Sequence, residues 1–487
     1  MNKRAFLKQI DAVIEAGPYQ PTWESLSQHP DPQWYRDAKF GIFIHWGVYC
    51  VPAFGNEWYP RHMYIKGTKE YDFHRKTFGP QEEFGYKDFI PMFTAEKFDP
   101  KAWAELFRKS GAKYVMPVAE HHDGFQMYAS DISIWNAAEM GPKRDIVGEL
   151  KEAVEAEGMQ ICVSNHRAEH FWFFDGGLSI DSDITDPAYA DFYGPPHKGP
   201  SKNESLTAAK PTRKHLEDWL LRNCELVDQY QPKIVWFDWW IQHQAFKETI
   251  RKFAAYYYNR AAEWGVEVAI NSKYDAYAFG ASVFDIERGQ LSGIYPRLWQ
   301  NDTAIAKNSW GYTENNDFKS ATALIEDLVD IVSKNGCLLL NVGPQKDGTI
   351  TEEETAVLLE IGEWLSTNGE GIYRTSPWKT FGEGPTKVPT GHFTDTKRTG
   401  YTSEDLRFTT KNGAMYVFVL KSPEDGVVRV KSFAQKNTGK LYAPIKKVTV
   451  LGSDTQVSIN QLKRYTEFTL VEPVKTDKPI CLKVELI

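Results

Sequence analysis

Long apolar runs are missing from this sequence: none reaches the roughly 20 residues that a membrane-crossing helix needs, so a helical span is excluded. Missing too is any CxxC pair. The five cysteines, Cys50, Cys162, Cys224, Cys337 and Cys481, are scattered and odd in number, and they read as buried thiols rather than a disulfide framework. Cationic excess is absent: 57 Lys and Arg face 65 Asp and Glu, giving a formal charge of −8 with the two signs interspersed. No basic field exists to hold a phosphate backbone, which excludes nucleic acid as a partner. The opening MNKRAFLKQIDAVIEAGPYQP starts basic, then mixes acids with apolar residues, so it lacks the unbroken apolar core of a signal peptide. The expectation is an intracellular protein, or one whose export signal has been removed. Neither HxH nor HExxH occurs, repeats and low-complexity tracts are absent, and no Gly-rich phosphate loop follows the first strand-like run. Sequons at Asn203 and Asn301 carry meaning only in a eukaryotic secretory pathway.

What is abundant is aromatic: 16 Trp, 24 Tyr and 28 Phe in 487 residues, many beside polar residues at the ends of apolar runs. Sugar rings stack well on such surfaces. The length suits an α/β barrel of roughly 250 to 400 residues followed by a smaller module. From about residue 38 to 370, short apolar runs alternate with longer amphipathic ones, the rhythm of βα units on a parallel sheet. The strand candidates are FGIFIHWG, YVMPVAEHH, MQICVSNH, KIVWFDWW, VEVAINSK, SVFDIERG and CLLLNVGP. Several helix candidates between them, such as KETIRKFAAYYYNRAAEW and SATALIEDLVDIVSKNG, are followed or closed by a glycine that suits a helix C-cap. Seven strands, with an eighth hidden in the insert 50–100 or the loop 170–210, predict a (β/α)8-like barrel over residues 1–380; a doubly wound open sheet is the competing architecture. Beyond about residue 380 the period becomes two, with an Asn412-Gly413 hairpin signal, which predicts an antiparallel β-sandwich over residues 381–487.

Polar residues collect at one end of the strand runs. His45, His121 with His122, then Ser164, Asn165 and His166, then Asp238, Lys273 and Glu287 each end or follow a run. In a parallel barrel these ends open on one face, where such folds keep their active sites. Two adjacent histidines suggest a metal first. A strand-end histidine is as often a hydrogen-bonding core residue, however, and neighbours on a strand point to opposite faces, so His121 and His122 share a pocket only if the strand has ended there. Without ligand-type spacing, neither metal nor cofactor is expected. Carboxylates give a better account: Asp238 sits among tryptophans in VWFDWW, and Glu287 lies two runs later. Two such groups suit glycoside hydrolysis, one attacking the anomeric carbon and the other protonating the leaving oxygen. The competing readings are a capping or base-paired Asp238 and a Glu287–Arg288 salt bridge.

KFGIFIHWGVYCVPAFGNEWYPRHMY (39–64), AEHHDGFQMY (119–128), WFDWW (236–240), NSWGY (308–312) and DIVSKNGCLLLNVGPQKDGTI (330–350) resemble, in order, the retaining α-L-fucosidases of glycoside hydrolase family 29. That resemblance implies a barrel with a C-terminal β domain, a fucosylated glycan as substrate, and no cofactor. It implies Asp238 as nucleophile and Glu287 as acid/base, with Asp285 the fallback. It implies fucose-contacting roles for His45, Glu57, Trp58, His121 and His122. Lys273 falls near a place where the family often has arginine, and CVSNHRAEHFW departs from the family's usual tyrosine-bearing strand end. On this reading His121 and His122 grip vicinal hydroxyls, for which neutral imidazoles suffice, and Trp236 with its neighbours receives the sugar's methyl group. A metal-dependent barrel hydrolase and a non-catalytic sugar-binding protein are the alternatives. Linkage preference and oligomeric state are not encoded in any motif found.

Overall fold

The computed structural model describes residues 2–194, 196–200, 207–397, 399–437 and 441–487. Its first layer is a ring of parallel strands: β1 Phe40–Ile44, β2 Tyr114–Glu120, β3 Gln160–Ile161 and β4 Val163–Asn165, β5 Ile234–Phe237, β6 Ala269–Lys273, β7 Val283–Glu287, β8 Trp299–Ala304 and β9 Gly336–Val342. Pairing runs β1-β9-β8-β7-β6-β5-β4-β2, with β3 also beside β2, and a β1–β2 ladder from Gly41↔Tyr114 to Ile44↔Pro117 closes it. Because β3 and β4 are one strand broken at Cys162, the barrel has eight staves. Strands such as FGIFI and GCLLLNV are buried along their whole length, since one face meets the interior and the other the helices.

The helices start where the sequence supplies caps. Asp99 accepts from the amides of Lys101 and Ala102 to open Pro100–Lys109, Asp145 opens Ile146–Ala156, and Ser320 opens Ala321–Ser333. Lys247–Trp264 ends as expected on Gly265 at φ 67°. The helix Ala321–Ser333 ends differently. Asn335 takes the left-handed position at φ 75°, and Gly336 instead begins β9, where a Cβ would meet the Trp299 indole at 2.6 Å.

The eighth strand is neither in 50–100, which folds as short helices, nor among the described residues of 170–210. It is β8, WQNDTA. Gln300 and Asp302 on this strand break the apolar signature, yet they are buried: Gln300 Oε1 accepts from Tyr35 (2.6 Å) and Tyr114 (2.9 Å), and its Nε2 donates to Asp285 (2.7 Å). A polar plug of this kind reads as loop in a sequence.

The C-terminal region forms two antiparallel sheets. One has order β10-β11-β12-β17-β14, with β10 Ser376–Glu383, β11 Leu406–Lys411, β12 Ala414–Val419, β14 Ile445–Val450 and β17 Ile480–Leu486; the other is β13-β16-β15, with β13 Val427–Val430, β15 Val457–Gln461 and β16 Thr466–Leu470. Phe408, Val417 and Val484 pack against Val428, Phe468 and Leu470 in one shared core. Asn412 (φ 50°) and Gly413 (φ 79°) make the expected tight turn between β11 and β12. The texture change at residue 380 falls within β10, and the mostly exposed β15 carried no alternation to read. All five cysteines are buried and free. Asn301 is buried in β8 and so cannot meet a glycosyltransferase in the folded chain; Asn203 lies outside the described residues. No helix among the described residues is long and apolar enough to cross a membrane.

Candidate active site

A cavity of about 280 Å³ opens where the strands end, and it is lined by His45, Glu57, Trp58, His121, His122, Trp236, Asp238, Lys273 and Glu287, but not by Ser164, Asn165 or Asp285. His166, Trp239, Asp302, Trp310 and Phe393 join them. A larger cavity, about 440 Å³, lies on the barrel's flank between Trp135, His170, His215 and Arg222, away from Asp238 and Glu287.

Asp238 follows β5 and is almost buried. Its Oδ2 accepts from His166 Nδ1 (3.2 Å) and His122 Nε2 (3.3 Å), and Oδ1 lies 3.2 Å from Lys273 Nζ. Burial alone would raise its pKa, but the Lys273 ammonium and the two imidazole donors overcome that and hold the carboxyl well below its usual range. Asp238 is therefore an anion without being a free one.

The histidines divide into distinct roles. His122 Nδ1 donates to the His166 carbonyl (2.9 Å) while Nε2 faces Asp238, so both nitrogens must carry protons. Burial opposes that charge, but Glu169 at 3.7 Å and Asp238 prevail and push the pKa up to about 9. The neutral form expected from the sequence does not fit His122, because it stands between two carboxylates. His166 is pushed down to about 4, chiefly by burial; it donates to Asp238 through Nδ1 and accepts from Ser164 through Nε2 at 3.1 Å. His45 is also neutral, held low by burial, and Nδ1 donates to Asn341 Oδ1 at 2.7 Å. Asn341 is itself fixed by donating to the Trp310 carbonyl (2.7 Å), which leaves His45 Nε2 as an acceptor. His121, neutral through burial, has an Nδ1 with no hydrogen-bond partner among the described residues. That atom is closed off from the cavity, so it is Nε2 that the ring can turn to a ligand.

Lys273, at the end of β6, joins the acids. Its ammonium contacts Glu287 Oε2, lies 3.2 Å from Asp238 and 3.7 Å from Asp302, and sits over the Trp236 and Trp239 rings. Burial works against its charge, yet Asp302, Glu287 and Asp238 together raise its pKa. One ammonium among three carboxylates leaves a surplus of negative charge. It is relieved at Asp302, whose pKa burial and Asp285 push well up. Asp285 is also raised by burial and is bonded to Gln300 beneath the cavity, so it does not reach the pocket.

Glu287, closing β7, accepts from Trp239 Nε1 (2.6 Å) as well as from Lys273. The Glu287–Arg288 pairing weighed from sequence does not form. Arg288, at φ 44°, turns away to the carbonyls of Ala306 and Ser309 and stacks over Trp310. Glu57 Oε2 accepts from the Trp310 amide (2.9 Å) and Ser309 (3.2 Å), and Trp58 stands 5.0 Å from the His122 ring.

Among the described residues, two groupings could supply three metal-ligand atoms, His45–His121–His166 and His122–His166–Asp238. In the second, the Lys273 ammonium already neutralises Asp238 and His122 is cationic, which opposes a further cation. Sequence reasoning missed Asp302, because β8 was not recognised, and Phe393, because it belongs to a loop far along the chain. Trp239 was visible in WFDWW, but its hydrogen bond to Glu287 was not.

The family model for α-L-fucosidase matches residues 6–370. Human tissue α-L-fucosidase is 33% identical over 449 residues, covering 90% of this chain and 86% of that protein; an α-L-fucosidase of Dictyostelium discoideum is 33% identical, covering 87% and 85%. Among solved structures, Thermotoga maritima α-fucosidase in complex with fucose is 31% identical with a TM-score of 0.75, covering 96% of this chain and all of that one. The same enzyme with a mechanism-based inhibitor gives 30% and 0.74, covering 96% and 99%.

Proposed function

This chain belongs to the α-L-fucosidase family, and on that premise we propose that it hydrolyses terminal α-L-fucosides of oligosaccharides or glycoconjugates by double displacement, with Asp238 as nucleophile and Glu287 as acid/base. The observation that carries the mechanism is the shared lysine. Asp238 and Glu287 both touch Lys273 Nζ, so their facing oxygens can be no further apart than two such contacts. That agrees with the roughly 5 to 5.5 Å of a retaining pair and not with the roughly 6.5 to 9.5 Å that leaves room for water in an inverting one.

In the first step an Asp238 oxygen bonds to the anomeric carbon as its bond to the leaving oxygen breaks, and that oxygen takes a proton from Glu287. Asp238 arrives ionised because Lys273, His122 and His166 stabilise the anion. Forming the ester discharges it, which frees Lys273 to pair with the newly ionised Glu287. Glu287 then takes a proton from water, the water oxygen bonds to the anomeric carbon, and Asp238 leaves. The configuration is retained. His45 Nε2 and His121 Nε2 are the imidazole atoms left for the sugar's hydroxyls, and Trp236 and Trp310 offer apolar surface for its methyl group. A lysine suits this place because a compact ammonium can move between two carboxylates, whereas a guanidinium is a planar fork.

The test is hydrolysis of an aryl α-L-fucoside followed by NMR. The first-formed fucose should be the α anomer, and Asp238→Gly should remove nearly all turnover. The β anomer formed first, or unimpaired turnover by the variant, would contradict the proposal. The three-histidine grouping motivates a parallel check, in which prolonged chelation should leave the rate unchanged.

A further inference from the structure

The loop joining β10 to β11 leaves the C-terminal region, returns to the barrel mouth and fastens onto the end of β7. The Phe393 amide donates to the Glu287 carbonyl (2.9 Å), and the Glu287 amide donates to His392 Nδ1 (3.0 Å). Gly289 permits the approach, because a Cβ there would meet the Gly391 carbonyl oxygen at 1.8 Å. The loop thus places Phe393 in the wall of the catalytic cavity while leaving the residue 51% exposed.

Phe393 is not alone. Trp239, whose indole bonds Glu287, lies 4.8 Å from the Tyr274 ring and 6.4 Å from the Phe393 ring, the latter tilted by only 20°. Tyr274 is 54% exposed. Both Tyr274 (φ 46°) and Phe393 (φ 56°) hold left-handed backbone that bulky side chains avoid, and such conformations persist where the surrounding structure imposes them. Two exposed aromatic rings on strained backbone, flanking the acid's own hydrogen-bond partner, are costly to keep unless something covers them.

We propose that Tyr274, Trp239 and Phe393 form the subsite for the leaving group, and that the leaving group is a pyranose that lays an apolar C–H face on these rings. This rests on Glu287 being the acid. On one side Glu287 meets Lys273, which also holds Asp238 and marks where the fucosyl ring must sit; its other neighbour is Trp239, so the oxygen it protonates and the sugar beyond lie toward the aromatic cluster. The negative faces of aromatic rings attract the polarised C–H bonds of a sugar, and rigid rings lose little freedom when covered. Linkage selectivity then resides partly in a loop from the second half of the chain.

The experiment compares kcat/KM on a fucosyl disaccharide, the fastest of a (1→2), (1→3), (1→4) and (1→6) panel, with kcat/KM on methyl α-L-fucoside. Both leaving groups need protonation, but only the disaccharide carries a ring to stack. Phe393→Ala and Tyr274→Ala should each lose about tenfold more on the disaccharide than on the methyl glycoside, the double variant more still, and Phe393→Trp should recover the disaccharide rate. Equal losses on both substrates, no loss on the disaccharide, or a parent protein that does not favour any disaccharide over methyl fucoside would overturn the proposal. Absence of turnover on the methyl glycoside and on aryl fucosides by the parent would instead refute the fucosidase mechanism itself.

Discussion

Two buried charge clusters in this molecule are built in opposite senses. Where the barrel meets the C-terminal sheets, the buried anion Asp330 receives Lys334, at the end of its own helix, and Arg407 from β11. Those two cations overcome the effect of burial and lower the Asp330 pKa. At the barrel mouth the ratio is inverted, with the single ammonium of Lys273 among Asp238, Glu287 and Asp302. The first cluster has cation to spare and no route to solvent, so it can only hold two parts of the fold together. The second sets two cations, the Lys273 ammonium and the His122 imidazolium, among four acids, Asp238, Glu287, Asp302 and Glu169, and it opens into a cavity, so its protons and ion pairs can change partners during a reaction.

The sharpest way to break this contrast is to remove the anion of the first cluster. Asp330→Ala strands two buried cations and should cost about 3 to 5 kcal/mol of stability, read in denaturant titration, with kcat of the folded fraction intact. Equal loss of kcat in that fraction would mean that the clusters are coupled. Next in size, Lys273→Met removes the ammonium of the second cluster. It should lower kcat by about 10²- to 10³-fold, because the charge that holds Asp238 ionised and receives Glu287 is gone. A change confined to KM would show that Lys273 only binds substrate.

The smallest effect concerns His122. With a pKa near 9 against 6.5 unfolded, its stabilisation is full below pH 6.5 and is lost as pH rises through 9. Between those limits His122→Asn should flatten the fall of stability with pH by up to about 1.4 kcal/mol per pH unit. Parallel curves for the two proteins would show that the imidazole is not charged.

How much of this was legible in the sequence follows from the same contrast between apolar and polar surroundings. Seven staves stood out because each has an apolar run, whether filling both faces as in FGIFI and GCLLLNV or only leading into the polar strand end. β8 did not, because Gln300 and Asp302 serve a polar network inside the barrel. At the site, strand-end position was enough to collect His45, His121, Asp238, Lys273 and Glu287, since parallel strands deliver their ends to one face. Partners were beyond reach: nothing in FDIERG shows that Glu287 takes Lys273 and Trp239 while Arg288 turns to Trp310. Nor could a period-two pattern after residue 380 reveal that a loop between its strands comes back to wall the cavity at the strand ends with Phe393.

The central claim is that Asp238 forms the bond to fucose, and it is tested most directly by trapping that bond. Incubation with a 2-deoxy-2-fluoro-fucosyl fluoride, proteolysis and mass spectrometry should find one fucosyl-labelled peptide, with the label on the aspartate of VWFDWW. A label on Glu287, Asp285 or any other side chain would contradict the account.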